Sequence, residues 1–443
     1  MEIIKVEPGA RRLLEGYQGL EYNFETAVAD LIDNSISARC KNVNVELRLK
    51  GKTNPSVVVI SDDGCGMEKR TLIEAMRYGS KKDYSASDLG KFGLGLKTAS
   101  LSQTKLLTVI TKKSQSASIF IARWDIEFVK EKDEWGLKVL DLNELELWEK
   151  ELVKLYLKKR GTLVIWKNPE GFQHLKEDSG FDEVHDKLES HLSMVFSHFL
   201  KKKKNIFING SKVAAWDPFC LKEKTKKLRT FLFSCSDAKQ KKQKILVTPY
   251  ILPTESEFSS REAWDDASGP KKWNRQQGLY FFRSKRLLQA GGWSNCKGNL
   301  EEHQKLLRVR VDFPSKLDNQ FGLNITKMRA IIPYEIKETF EKHLSKWRRE
   351  AEKRYRKQHG KVSDKATKKI INFKKGKTFN LYERNGKVFV ENPDFRLPNK
   401  IKKLLSKGKV HQLGVILYLF LENMKCINTS IKNPKNIQSK LFL

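Results

Sequence analysis

The chain has 443 residues, 39% of them hydrophobic and 10% aromatic, with a formal net charge of +33. That length and apolar content exclude an intrinsically disordered chain and fit two or three domains of roughly 150 residues. The charge favours polyanionic partners, nucleic acid above all, over acidic ones. Six scattered cysteines, with no CxxC pair, exclude a disulfide framework or zinc ribbon and fit a reducing compartment. The first residues, MEIIKVEPGARRLLEG, carry no apolar signal core, and the longest apolar run, GVILYLFL from Gly414, is far short of the roughly 20 residues of a spanning helix. The expectation is a cytoplasmic protein with no membrane partner.

In chain order, Asn23 is a candidate N-cap for a helix over FETAVADLIDNSIS. Phe24, Val28, Leu31 and Ile32 share one face of it, and Asp30, Asn34 and Ser37 fall near the opposite face. NVNVELRLK alternates as a half-buried strand, and SVVVI reads as a buried strand running into the turn SDDGCGM. KLLTVIT, ASIFIARW and GTLVIWKN are further strands, so the pattern is α+β. The run Lys201–Lys204 marks a boundary, after which NIFINGSKV opens a second α+β block with an Asn209-Gly210 hairpin. That block runs through KILVTPYILP, GLYFFRSKRLL and LLRVRVDFP to GLNITKMRAIIP. From about Tyr334 follow a long charged helix, a hairpin in FNLYERNGKVFVEN and an apolar helix near HQLGVILYLFLENM. Residues 331–443 hold 28 Lys/Arg against 10 Asp/Glu, the electrostatic footprint of a phosphate-backbone partner. The expected divisions are 1–203, 204–335 and a basic region 336–443.

Three motifs carry chemistry. Asp30 and Asn34, one turn apart, pair a group that can orient water with a carboxamide oxygen suited to Mg²⁺, although polar residues opposite a core face are also what any amphipathic helix shows. In VVVISDDGCGM a buried strand ends in Asp62-Asp63-Gly64-Cys65-Gly66, where a strand-end acid can accept from an exocyclic amine and glycines allow close approach. The bland reading is an ordinary Asp-Gly turn. In DLGKFGLGLKTAS, Gly90, Gly93 and Gly95 precede a helix opening at Leu96-Lys97, a phosphate-cradling arrangement with Lys91 and Lys97 as cations, or simply a glycine loop. It is neither a Walker nor a dinucleotide pattern. His191 and His198, seven apart on one helical face, read as packing rather than a metal site.

Taken together and in this order, the three motifs resemble the Bergerat ATP-binding fold shared by gyrase, ninety-kilodalton heat-shock chaperones, histidine kinases and MutL (GHKL), closely over about residues 15–170 and loosely to about 335. The wording is most similar to the microrchidia (MORC) ATPases and their bacterial relatives. The resemblance implies an α+β chain: a Bergerat-type ATP-binding sandwich, a transducer-type (S5-like) α+β domain and a small basic C-terminal region. It implies an ATPase using ATP and Mg²⁺, with Asp30 where the water-polarising glutamate usually stands and Asn34 as the metal ligand. It implies Asp62 as the adenine-reading acid, Gly64 and Gly66 shaping the base pocket beside Ala38 and Met67, and Thr162 backing the adenine contact. Gly90, Lys91, Phe92, Gly93, Leu94, Gly95, Leu96 and Lys97 correspond to the phosphate lid, and Lys327, in GLNITKMRA, to the transducer lysine that reaches the γ-phosphate. ATP-driven closure of a homodimer and action on DNA or another nucleic acid follow from the same resemblance. Two departures stand out: Asp30 is one methylene shorter than glutamate, and Ser37 occupies a position often held by aspartate. No histidine precedes His174, which excludes a histidine kinase. A nucleotide-sensing, non-hydrolysing DNA-binding or scaffold protein, or a chaperone-like ATPase, remain the alternatives; Asp30 keeps the first open, and the basic charge speaks against the second.

Overall fold

A computed structural model of the chain describes residues 9–18, 22–51, 54–78, 95–172, 180–323, 330–363, 369–373, 377–384 and 387–391. They fall into two units, residues 1–352 and 353–443. The first unit opens with helices α1 (Ala10–Gln18) and α2 (Phe24–Ser37), strands β1 (Asn42–Arg48) and β2 (Val57–Asp62), and helices α3 (Lys69–Met76) and α4 (Gly95–Leu101). There follow β3 (Leu106–Lys112), β4 (Ile119–Asp125), α5 (Ile126–Lys132), β5 (Lys138–Leu140), α6 (Leu147–Tyr156) and β6 (Gly161–Lys167). Then come α7 (Phe181–Val195), α8 (Ser197–Leu200), β7 (Asn205–Ile208) and β8 (Ser211–Lys212). These strands form one eight-stranded sheet in the order β5-β4-β3-β6-β2-β1-β7-β8.

The strand patterning explains the layering. In β2 every residue is buried, because alternate side chains enter different cores. Val58 and Ile60 join the large core under α1, α2, α4, α5 and α7. Val57 and Val59 face a smaller core capped by Trp148, Leu152 and Val153 of α6. Burying each such aliphatic side chain contributes about 1.5–3 kcal/mol, so cover on both faces holds β2 firmly and fixes whatever its end carries. β1, covered on one face, alternates as its sequence requires.

β7 pairs parallel with β1, and the Asn209-Gly210 turn has positive φ at both residues, 47° and 83°, as its type demands. The hairpin that opens the second block in sequence therefore completes the first sheet in space, with Lys204–Asn205 as its entry rather than a break between bodies.

The second sheet follows: β9 (Lys226–Lys227), β10 (Phe231–Ser236), β11 (Lys242–Ile251), helices α9 (Arg261–Ala267) and α10 (Lys272–Gln276), then β12 (Gly278–Arg283), β13 (Arg286–Ala290) and β14 (Leu307–Phe313). Its order is β10-β11-β14-β12-β13, with β9 on β11. Helix α11 (Tyr334–Ser363) begins two residues before the boundary expected at 335/336. Its buried Phe340, Leu344, Trp347 and Ala351 recur at four-three-four spacing and pack on Phe231 and Phe233 of β10. The charged residues that dominate its sequence are the other faces of an ordinary amphipathic helix, so its first part is core structure of the first unit.

In the second unit β15 (Lys369–Phe373), β16 (Lys377–Arg384) and β17 (Lys387–Glu391) form an antiparallel meander, including the expected hairpin. The apolar helix expected near HQLGVILYLFLENM lies outside the described residues. Among the described residues no helix is long and apolar enough to cross a membrane.

Candidate functional site

The site is built where α2 ends against the end of β2. Asn23 caps α2, its Oδ1 accepting from the Thr26 N–H at 3.1 Å. Three turns later the helix delivers Ser35, whose Oγ donates to Asp62 Oδ2 at 2.8 Å. The Gly64 N–H donates to the other Asp62 oxygen at 2.9 Å. The Cys65 N–H donates to the Ala38 carbonyl at 3.0 Å, tying the glycine turn to the helix end. A Cβ on Gly64 would stand 2.8 Å from Asp62 Oδ1 and 2.9 Å from Ala38 Cβ, so this position has room only for glycine.

Asp62 is 8% exposed. Burial pushes its carboxyl above the usual range, while hydrogen bonds from Ser35, Gly64 and Thr162 pull the other way. Thr162 faces it in register across β2 and β6. Thr111 of β3 completes the wall: its hydroxyl donates to the Gly161 carbonyl at 3.0 Å, accepts the Met67 N–H at 2.9 Å, and lies 3.3 Å from the Thr162 hydroxyl. Asp63 has a different job. Its carboxylate accepts from the Lys41 and Asn42 N–H groups and from Asn42 Nδ2, holding the turn that follows α2. One acid of the pair therefore belongs to the scaffold and the other to the pocket.

The polar stripe of α2 divides. Asn34 and Ser37 are exposed, as their positions require. Asp30 is not on an open face: it is 2% exposed, with Tyr22 Oη donating to Oδ2 at 2.6 Å and Arg286 Nη2 donating to Oδ1 at 3.2 Å. Arg286 Nε also donates to Asp33 Oδ1 at 2.8 Å. The reason is tertiary: β13 of the second sheet packs on α7 and α8 and carries Arg286 to α2. Burial opposes the Arg286 charge, but Asp33 and Asp30 outweigh it and hold the guanidinium more firmly protonated. Burial and the Asp30 carboxylate push the Tyr22 phenol upward, so it acts as a donor. On α7, burial, then Arg286 and Lys271, push His191 down to about 4, leaving it neutral at physiological pH. Among the described residues there is no group of three or more His, Cys, Asp and Glu that could hold a metal ion.

Residues 22–162 match the family model for the histidine kinase-, DNA gyrase B- and HSP90-like ATPases. This stretch is a GHKL ATPase domain. The chain is also 35% identical over 91 residues to the DNA mismatch repair protein MutL of three strains (Tuc7, 5A and APS) of Buchnera aphidicola subsp. Acyrthosiphon pisum. That match covers 19% of this chain and only 15% of the length of those relatives.

The ATPase domain, a mixed sheet with a helical layer, has the architecture expected of the Bergerat fold. Of the candidate residues, Ala38, Asp62, Gly64, Gly66, Met67 and Thr162 come together around the turn, with Asn34 on the helix that abuts them. Gly66 has φ +62°, and a Cβ there would meet the Lys112 carbonyl, so its glycine is structural as well. Gly95, Leu96 and Lys97 open α4, which packs on α2 and α3. The Lys97 side chain is buried, its amine donating to the Ala75 carbonyl of α3 at 2.9 Å, and burial pushes its pKa down to about 8. Gly90, Lys91, Phe92, Gly93, Leu94 and Lys327 lie outside the described residues.

Sequence reading missed Tyr22, Asp33, Ser35, Thr111 and Arg286. Ser35 had a usable signal, since it follows Asn34 on a helix already marked for a ligand. Thr111 and Arg286 had none, because only strand register and the packing of two sheets bring them in.

Proposed function

We propose that this chain is a MORC-like ATPase in which Mg²⁺-dependent ATP hydrolysis drives closure of a homodimer acting on DNA. The observation that carries the nucleotide part is the buried Asp62, held by Ser35 and Gly64 and backed by Thr162: a fixed acceptor at a strand end, beside glycines, suits the exocyclic amine of adenine. Asn34, exposed on the same helix, offers a carboxamide oxygen. That hard donor fits Mg²⁺, which takes one or two protein oxygens plus phosphates and waters. When bound, the ion would neutralise phosphate charge. Lys97, the glycines preceding it and Lys327 are assigned to the phosphates. Asp30 is assigned to accept a proton from the water that attacks the γ-phosphorus, giving ADP and inorganic phosphate.

One experiment tests the nucleotide reading. Titration with a fluorescent, non-hydrolysable ATP analogue is expected to saturate and, by light scattering, to double the mass; Asp62→Ala is expected to weaken binding at least tenfold. Absence of saturable binding by the native chain refutes the reading, and binding without a mass change removes dimer closure alone.

The DNA part rests on charge and on the name of the MutL relatives. Lys201–Lys203 and Lys239, Lys241, Lys242 and Lys244 are exposed, and the C-terminal quarter is strongly basic. Backbone contacts by such lysines make binding independent of sequence and steeply salt-dependent. Duplex affinity is expected to fall at least tenfold between 50 and 200 mM salt, measured by fluorescence anisotropy, and a flat response rules out this interface.

A second reading, a nucleotide sensor that does not hydrolyse, is favoured by one observation: both oxygens of Asp30 already accept hydrogen bonds, from Tyr22 and Arg286.

A further inference from the structure

Arg286 belongs to no motif and lies outside the span that matches the ATPase family. It nevertheless reaches the one side chain assigned to move a proton. We propose that Arg286 is a positioning residue, supplied by the second sheet, that holds the Asp30 carboxylate for the attacking water, so that the ATPase domain is complete only with the second sheet docked. The inference rests on the reading of Asp30 as proton acceptor.

The geometry favours positioning over simple packing. Asp30 and Asp33 lie three residues apart on α2, both buried, and two carboxylates that close resist joint ionisation. Arg286 bridges them with different nitrogens, Nε to Asp33 and Nη2 to Asp30. The fork thus anchors on Asp33 and presents its far nitrogen to Asp30, leaving Tyr22 to fix the second oxygen. The hairpin that carries Arg286 is stiff. Its two-residue turn, Ser284-Lys285, has φ of 49° and 73°, and Arg283 on the other side of the turn is locked to Asp318 by two bonds of 2.9 and 3.0 Å. Phe196 lies under the guanidinium, 5.9 Å from ring centre to Cζ. A movement of β13 relative to α7 would therefore be transmitted to Asp30 with little slack.

The test compares Arg286→Lys with Arg308→Lys in the full chain. Arg308, on β14 of the same sheet, is also fully buried, and its fork donates to the Pro218 and Ala267 carbonyls at 2.7 and 2.6 Å rather than to the hairpin or α2. Both substitutions replace a buried fork by a point charge, so a purely structural role makes them alike. Steady-state ATP turnover is measured alongside affinity for a fluorescent, non-hydrolysable ATP analogue. Arg286→Lys is expected to lower kcat at least tenfold with analogue affinity within threefold, and Arg308→Lys to change kcat less than threefold. Should Arg286→Lys fail to fold, the double variant Asp33→Asn with Arg286→Gln keeps the cluster's net charge and is expected to show the same split. Equal kcat losses at both arginines, or no loss at Arg286, overturn the inference while leaving the ATPase reading intact. A native chain that neither binds the analogue nor hydrolyses ATP overturns both.

Discussion

Asp30→Asn is expected to cut ATP turnover by about 10²-fold or more, the usual range for removing a positioned acid–base group, while leaving nucleotide affinity within a few-fold. The two effects separate because the adenine pocket is built elsewhere: Asp62 takes its bonds from Ser35, Gly64 and Thr162, none of which touches Asp30. The substitution is gentle on the fold. Asparagine retains an oxygen for Arg286, and Arg286 keeps Asp33, to which it is the more closely bonded. The cost to stability is about 1–3 kcal/mol, that of a weakened buried hydrogen-bond network. Steady-state phosphate release measured with saturating ATP checks it. Equal background rates for the native chain and Asp30→Asn, with analogue binding retained in both, select the non-hydrolysing sensor. A slow but Asp30-dependent native rate selects the enzyme and attributes the slowness to a carboxylate one methylene short and already engaged by two donors.

The contrast between Asp62 and Asp30 shows what sequence could and could not reveal. Strands with a clean period of two, such as NVNVELR, and the Asn209-Gly210 turn are local decisions, and the structure matches them residue by residue. Asp62 was legible because a wholly apolar strand ending in an acid and two glycines is locally unusual. Its partner Ser35 sits at the one point where the helix and the strand end meet, so it needed the fold. For Asp30, helical periodicity correctly placed it away from Val28 and Ile32 but could not say that a second sheet would cover that face. Long-range packing decided the matter, through an arginine 256 residues away. The same holds for α11: its charge dominates the sequence, yet four residues on one stripe bind it to the second sheet and make its first half core. Local chemistry is written where it acts, whereas the closure of one element over another is written in both and visible in neither alone.

Lys97→Met is expected to make the protein more stable at pH 7 and worse at holding a nucleotide triphosphate, and the opposite signs are the point. Burial lowers the Lys97 pKa from 10.5 to about 8. A base whose folded pKa is depressed binds its proton less readily in the folded state. The resulting penalty is therefore full below pH 8, fades as pH rises toward 10.5, and is absent above it. The shift corresponds to about 3 kcal/mol at pH 7. Losing the bond to the Ala75 carbonyl offsets about 1 kcal/mol of that. Methionine fills the space of the lysine stem without its charge. Urea denaturation at pH 7 and again near pH 10.5 checks the sign: the advantage of Lys97→Met is expected at the first and not at the second. In the same protein, affinity for a non-hydrolysable ATP analogue is expected to fall at least tenfold, with affinity for adenosine little changed, because the ammonium is assigned to the phosphates and Asp62 to the base. The two signs separate the readings: a buried cation at the head of α4 that opposes folding and is assigned to the phosphates gives a gain in stability with a loss of analogue affinity, whereas a lysine retained only for structure would lose stability on substitution and leave the analogue bound as tightly as before.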